Sequence, residues 1–359
     1  MRPTSLSLVF VLLALACNKS EPKEESKRSE SEAPPSKVEA LDPNLAEAVA
    51  AASVNAGARG APPAAQVEGG PPPDGVFAPG AADKEMVRGA QPKITLGSEG
   101  SEPKMKLGVG KAPAKLSGTI QLALQSDPRQ GAIPVLMTLS IEPKKVDAVA
   151  EGDKAAAPAS LPVVIKVTGA KIDAPQVPKD LDEQIAKLKG SRIEYSILPG
   201  GAGAGFRFDA PKGAPQDFRD MVRSLSDVIS LLTIPYPDKP LGAGGYFMVT
   251  SRDDFLGLDL VTYRLIKVKQ VTPEGATLEV NTKRYAASRA FDFPGLPPEI
   301  DKTLAEFQAN SEGTVELPLG AVLPTKGQVS SVLAAQLGAQ DSKQRAVLQF
   351  QSRTQLDLK

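Results

Sequence analysis

The sequence predicts an α+β fold: a large, curved, antiparallel β-sheet with two or three helices, preceded by a long disordered region. Three observations predict it. Beyond about residue 115, apolar residues recur in runs with the period of two that a half-buried strand requires. One stretch, from Gln216 to Thr233, instead places Phe218, Met221, Val222, Leu225, Val228, Ile229 and Leu232 on a single helical face. The 33 prolines and 31 glycines are unevenly spread and somewhat denser in the first third of the chain, where neither pattern is found.

The N-terminal segment is read first. Arg2 is followed by an apolar run from Leu6 to Leu15, broken only by Ser7, and then by the small Ala16. A membrane-spanning helix needs about 20 apolar residues, so this shorter run is expected to be a cleaved signal peptide, residues 1–16. Ala14-Leu15-Ala16-Cys17 resembles the lipobox of bacterial lipoproteins, with Ala14 where that family most often has Leu. The resemblance implies that the leader is removed before Cys17, that its thiol is diacylated by palmitate-type chains, and that the new amino terminus is acylated too. Cys17 is the only cysteine of the chain and stands where the leader ends. Each buried CH₂ contributes about 0.8 kcal/mol, so two or three chains would hold the protein to a membrane. By resemblance to lipoprotein sorting rules, Asn18 after the cysteine implies the outer membrane rather than the inner one. The expected address is therefore the cell envelope, on the periplasmic side or at the surface.

From Cys17 to Lys115 the chain is rich in Ala, Pro, Gly, Glu, Lys and Ser, with Phe77 as its only aromatic residue. Such a composition buries too little apolar area to offset ordering entropy, so residues 17–115 are expected to form a disordered tether. Its coil span is on the order of 55 Å. Asp42-Pro43 opens an alanine run to Val54, a length that gives only a marginal isolated helix.

The domain is expected over residues 116–359. Leu116 to Leu124 and Ile133 to Ile141 alternate and read as two paired strands; Leu161 to Ile172 is a third, with Arg192 to Leu198 as its partner. Lys144 to Ser160 reads as a loop. Asp180 to Lys189 has Leu181, Ile185 and Leu188 at helical spacing between acidic and basic ends. The long helix at 216–233 stops at Pro235-Tyr-Pro-Asp-Lys-Pro, because proline removes a donor and biases its predecessor away from helix. Period-two runs follow at Gly245 to Ser251, Leu258 to Val271, Gly275 to Tyr285, Glu312 to Leu317, Gly327 to Gly338 and Arg345 to Leu358. A short helix is expected at Pro298 to Gln308.

The stretch Leu231-Leu-Thr-Ile-Pro-Tyr-Pro-Asp-Lys-Pro-Leu-Gly-Ala-Gly-Gly245, with Tyr246, Tyr263 and the strand from Gly275, resembles an uncharacterised family of bacterial secreted and lipoprotein domains. Gly245-Tyr246 stands where that family usually has Ser-Trp, and the resemblance implies no activity. Strands flanking a pair of helices also look like the open half-barrel of periplasmic lipoprotein carriers, which implies a curved sheet enclosing a greasy cavity.

Composition excludes several function classes. Lys plus Arg and Asp plus Glu are both 42, so the formal charge is zero and no long-range field draws the chain to nucleic acid. With no histidine and one cysteine, His-dependent triads, Cys-His pairs and the common zinc sites lack essential parts. No tryptophan and 4% aromatics argue against stacking platforms. No cofactor, no metal and no catalytic role are expected.

Gly200 to Gly205 is read as a hairpin connection, because the following Phe206-Arg-Phe-Asp is a strand and not the helix that a phosphate loop needs. Asp253-Asp254 beside Arg252 reads as a solvated turn, and nothing in the sequence places Glu279 with Asp259 as an acid and base pair. For a lipid-like ligand, the adaptable or aromatic residues Met221, Phe247, Met248 and Phe255 are the candidate apolar contacts, and Arg207 and Lys212 the candidate head-group contacts. Two readings stay open: a non-enzymatic, membrane-anchored domain that binds an apolar ligand or a partner protein, and a structural component of an envelope complex with a solid core.

Overall fold

The computed structural model describes residues 72–110, 113–125, 132–144, 160–175, 177, 179–211, 225, 228–255, 258–291, 301–338 and 346–359. The expected signal peptide, Cys17, the alanine run to Val54 and most of the loop at 144–160 lie outside these residues. So does most of the helix at 216–233.

The chain order is α1 (Ala81–Glu85), β1 (Lys93–Ser98), β2 (Lys104–Met105), β3 (Leu116–Gln125), β4 (Ile133–Pro143), β5 (Leu161–Ile172), α2 (Lys179–Ala186), β6 (Arg192–Ile197) and β7 (Gly203–Asp209). Then come β8 (Leu241–Gly242), β9 (Tyr246–Phe255), β10 (Leu258–Thr272), β11 (Gly275–Ala286), β12 (Leu304–Pro318), β13 (Lys326–Leu337) and β14 (Ala346–Leu358). Leu225 and residues 228–232 are helical as well, the C-terminal part of the expected long helix.

Twelve of the described strands form one open, curved sheet in the order β1-β9-β10-β11-β12-β13-β14-β3-β4-β5-β6-β7, every neighbouring pair antiparallel. It consists of two meanders, β3 to β7 and β9 to β14, joined where β14 pairs with β3. The fold is therefore the antiparallel, helix-decorated sheet that the alternating runs predict. Two-residue connections join β9 to β10 and β10 to β11, which fixes those neighbours as antiparallel. Val271-Thr272-Pro273-Glu274-Gly275 is such a turn between β10 and β11.

The two faces of the sheet carry different cover. On the inner face, Ile120, Met137, Leu139, Ile141, Ile165 and Ile193 pack with Ile185 and Leu188 from α2 and with Leu225, Ile229 and Leu232 from the third helix. The opposite, outer face is covered near β9 to β11 by α1, where Phe77 and Ala82 pack with Val261 and Ala287. Arg252 on β9 holds this cover down: its guanidinium meets both carboxylate oxygens of Asp259 at 2.9 Å, and it donates to the Met86 carbonyl at 3.0 Å and to Asp83. Tyr263 donates to Glu85 at 2.9 Å on the same face, and burial, with Glu85 adding to it, holds its hydroxyl well above the usual tyrosine range.

Two expectations are corrected. The tether does not run to residue 115: residues 72–110 belong to the folded unit, with β1 paired to β9 and Phe77 buried. The segment is stitched in by backbone bonds, Phe77 N–H to the Ala286 carbonyl, Ala286 N–H to the Gly75 carbonyl and Phe307 N–H to the Asp74 carbonyl. Gly75 has a left-handed φ of 75°, and a Cβ there would lie 1.6 Å from the Phe307 carbonyl oxygen, so this seam requires glycine. The second correction concerns 298–308, where a helix was expected; Leu304 to Gln308 are strand β12. A register shift between Leu304 and Glu306 puts two residues opposite one, so Leu304 and Phe307 are both buried at a spacing of three, which mimics a helical period.

Candidate functional site

The C-terminal end of the third helix lies against the inner face of β11 to β14, and a cleft of about 30 Å³ separates them. Val228, Leu231, Leu232 and Ile234 form one wall; Val280, Val315, Val329 and the hydroxyl residues Thr282, Ser311, Ser331 and Thr354 form the other. The helix ends here because Pro235 cannot continue it. Thr233 closes its last turn, its N–H and its hydroxyl both donating to the Ile229 carbonyl at 2.9 Å.

Two further carbonyls at the helix end are taken by a cation from the sheet. Arg264 on β10 donates through Nη1 to the main-chain oxygens of Leu231 at 3.1 Å and Thr233 at 3.0 Å. A positive charge at a helix C-terminus is favourable, because the last carbonyls lack partners and carry the negative end of the dipole. Arg264 is only 5% exposed, and burial lowers its pKa to about 10, with the nearby Arg284 acting in the same direction and Asp253 against it.

The β ladder explains how these groups meet. Arg264 is opposite Thr282, Thr282 opposite Ser311, Ser311 opposite Ser331, and Ser331 opposite Ser352. Residues directly opposite in a sheet point to the same face, so these five form one polar row across the inner side of β10 to β14. The adjoining row, Ile266, Val280, Gly313, Val329 and Thr354, is mostly apolar. On the other side lie Thr262, Arg284, Ala309 and Leu333. Arg284 places its guanidinium carbon 4.7 Å from the centre of the Phe255 ring.

Four of the six ligand contacts expected from the sequence lie among the described residues, and these four do not converge on one site. Phe247 is fully buried in the core of the inner face, and Phe255 is on the same face under Arg284. Met248, one residue on from Phe247, points to the outer face, where it is 41% exposed and opposite the exposed Leu265. Arg207 is on β7, an edge of the sheet, and pairs with Glu194 at 3.3 Å. Met221 and Lys212 lie outside the described residues. Of the cleft lining, Val228 and Leu232 belong to the expected apolar face of the helix, whereas the sheet residues and Arg264 beside them are not marked by the sequence. Register is the signal that locates them, and strand spacing alone does not fix register.

The other candidate motifs resolve into packing. Gly200 and Gly201 have left-handed φ values of 89° and 84° in the hairpin from β6 to β7, and a Cβ on Gly201 would lie 2.3 Å from the Tyr236 ring. Tyr236 returns a bond from its N–H to the Gly200 carbonyl at 2.9 Å, so the glycines seat the proline-rich strap after the helix. Asp253 and Asp254 are part of β9 and not of a turn; Asp254 pairs with Arg88 at 2.7 Å and Asp253 accepts from the Ser251 hydroxyl at 2.7 Å. Glu279 is opposite Lys267, whereas Asp259 is opposite Asp254 and bound by Arg252. No helix among the described residues is long and apolar enough to cross a membrane.

No family model and no curated protein matches the chain. Among solved structures it is similar to the crystal structure of CghA with Sch210972, at 10% identity over 74% of this chain and 99% of that one. The TM-score of 0.15 is too low to carry any argument about fold or function.

Proposed function

We propose that this chain is a membrane-anchored envelope lipoprotein whose β-rich domain has no catalytic role and binds an apolar, lipid-like ligand between the third helix and the inner face of the sheet. The observation that supports this reading is the cleft itself. Four aliphatic side chains of the helix region face three valines and four hydroxyls of the sheet, a lining suited to a chain with a polar end. Ser311, Ser331 and Ser352 on the same face are partly exposed. The anchor rests on the resemblance at Ala14 to Cys17, and the outer membrane on Asn18.

The size of the cleft favours a second reading. At about 30 Å³ it holds roughly one methylene group, so a domain that stays in this conformation has a solid core, as a structural or partner-binding component of an envelope complex would. Native mass spectrometry of the purified chain separates the two. Co-purifying or added lipid that stays bound supports the ligand reading, and a bare mass at every lipid concentration supports the structural one. The anchor is tested apart from both: Cys17→Ser releases the protein from membranes, and unchanged retention removes the lipoprotein reading.

A further inference from the structure

A second surface lies on the outer face of the sheet, away from the cleft. Among the described residues six large apolar side chains are exposed, and three of them stand together there: Tyr246, Met248 and Leu265, at 43%, 41% and 42%. Met248 is directly opposite Leu265, and Tyr246 is two residues from Met248, on the same side of β9. The Tyr246 ring rests on bare backbone of the edge strand β1, because a Cβ on Gly97 would lie 2.1 Å from it. The cover supplied by α1 reaches Tyr263, which donates to Glu85, and Leu265 is the next residue of β10 on that side. Further along the sheet the face turns polar. The rung through Met248 and Leu265 continues as Asn281 and Glu312, and the rung through Tyr246 as Lys267, Glu279 and Thr314.

Four lysines frame the apolar group. Lys267 is opposite Tyr246, and Lys269 is two residues further along β10. Lys93 is opposite Thr250, the neighbour of Met248 on this face, and Lys283 is opposite Tyr263, the neighbour of Leu265. All four are exposed, and none makes an ion pair among the described residues. Across this part of β1, β9, β10 and β11 the one outward carboxylate is Glu279, which accepts from Asn281 at 3.2 Å. Glu85 at the end of α1 is engaged by Tyr263, and Glu312 is one strand beyond.

We infer that this face lies against an anionic phospholipid bilayer, with Tyr246, Met248 and Leu265 entering the headgroup boundary and the lysines reaching lipid phosphates. Lysine favours this occupant over a protein. Its stem lies along apolar surface while the ammonium stays at the polar level, whereas lysine is depleted in protein interfaces. Tyrosine settles at the same headgroup depth. The chain as a whole has no net charge, so the attraction acts within about a Debye length of the surface. The contact is additional to the acyl anchor proposed above and does not require it.

The experiment mixes the full chain with an excess of phosphatidylcholine vesicles, with or without about 30% phosphatidylglycerol. The readout is the rate at which dilute hydrogen peroxide converts the Met248 thioether to its sulfoxide, followed by peptide mass spectrometry. The expected rate is at least about fivefold lower on the anionic vesicles than on the neutral ones, and about 0.5 M salt restores it. Leu265→Ser, at an exposed position, removes most of the protection, as does Lys267→Gln combined with Lys283→Gln. Lys326→Gln leaves it unchanged, because that lysine is opposite both Glu316 and Asp357. Equal rates on the two kinds of vesicle overturn the proposal, and so does protection that none of these substitutions weakens. The anchor is read apart from this, as retention on neutral vesicles. Washing at about 0.5 M salt keeps the Cys17→Ser result free of the outer-face contact.

Discussion

Arg264 and Thr233 are joined at 3.0 Å, guanidinium to main-chain carbonyl, so that a strand residue caps the end of the third helix from across the core. The same group bonds Leu231 at 3.1 Å. Replacing Arg264 with methionine keeps much of the volume but strands both carbonyls. The expected loss is about 1–3 kcal/mol, offset in part by relief of a buried charge. Urea denaturation of the full chain measures it, and an unchanged midpoint would show that the helix end is held by other contacts.

Arg252 is the matching anchor on the outer face. Its side chain is 9% exposed and grips Asp259 with two bonds while reaching Asp83 and the Met86 carbonyl. Arg252→Ala is expected to cost about 2–3 kcal/mol, less than a fully buried pair because Asp259 and Asp83 reach water. Hydrogen exchange resolves the effect by place: amides of residues 77–90 should exchange faster, with those of β4 and β5 unchanged.

Phe77→Ala tests whether the domain begins well before residue 115. Phe77 is 6% exposed and its ring lies 6.0 Å from that of Tyr285. A cavity of that kind costs about 3 kcal/mol in a packed cluster and nothing in a disordered tether. Thermal unfolding distinguishes the two outcomes directly.

Glu99 gives a pH-dependent prediction. Hydrogen bonds from Lys104 at 3.0 Å and Lys239 at 3.1 Å, with their charges, hold its pKa below the usual value of 4.5. The folded value is the lower one, so the contribution is present above pH 4.5 and is lost as pH falls through the folded value. Glu99→Gln should therefore unfold at lower temperature than the parent at pH 7 and at the same temperature at pH 2. A gap that persists in acid would contradict the ion-pair origin.

Gly201→Ala adds a Cβ at a left-handed backbone position and drives it into Tyr236. The expected penalty is about 1–3 kcal/mol. Gly205→Ala is the control, because its φ of 66° is strained but no atom lies within 4 Å of the added carbon. A larger loss at Gly201 isolates the Tyr236 contact.

Strand spacing carried much of this architecture. Leu116 to Leu124 alternates cleanly, Ile133 to Ile141 and Leu161 to Ile172 do so with a short apolar run in each, and each is a strand close to the expected bounds. The interior of the site was harder to read. In β10, Leu260, Thr262, Arg264 and Ile266 lie on the inner face, while Val261, Tyr263 and Leu265 face outward, so both sides carry apolar residues and parity is ambiguous without the ladder. Nothing in the strand's spacing marks Arg264 as the deeply buried residue it is. β1 escaped notice because Lys93-Ile-Thr-Leu-Gly-Ser is short and set among prolines and glycines; its order comes from pairing with β9, far away in the chain. At Leu304 the bulge gave a strand the spacing of a helix.

The seam between β14 and β3 has a consequence for how the molecule comes into being. Leu358 is registered with Gly118 and Gln351 with Gln125, so the last strand made closes onto the first strand of the opposite meander. A nascent chain can therefore pair β3 through β7 early but must leave one side of β3 bare until residues 346–358 have emerged. Loss of those thirteen residues would cut the sheet in its middle, exposing two raw edges where an ordinary terminal deletion exposes one.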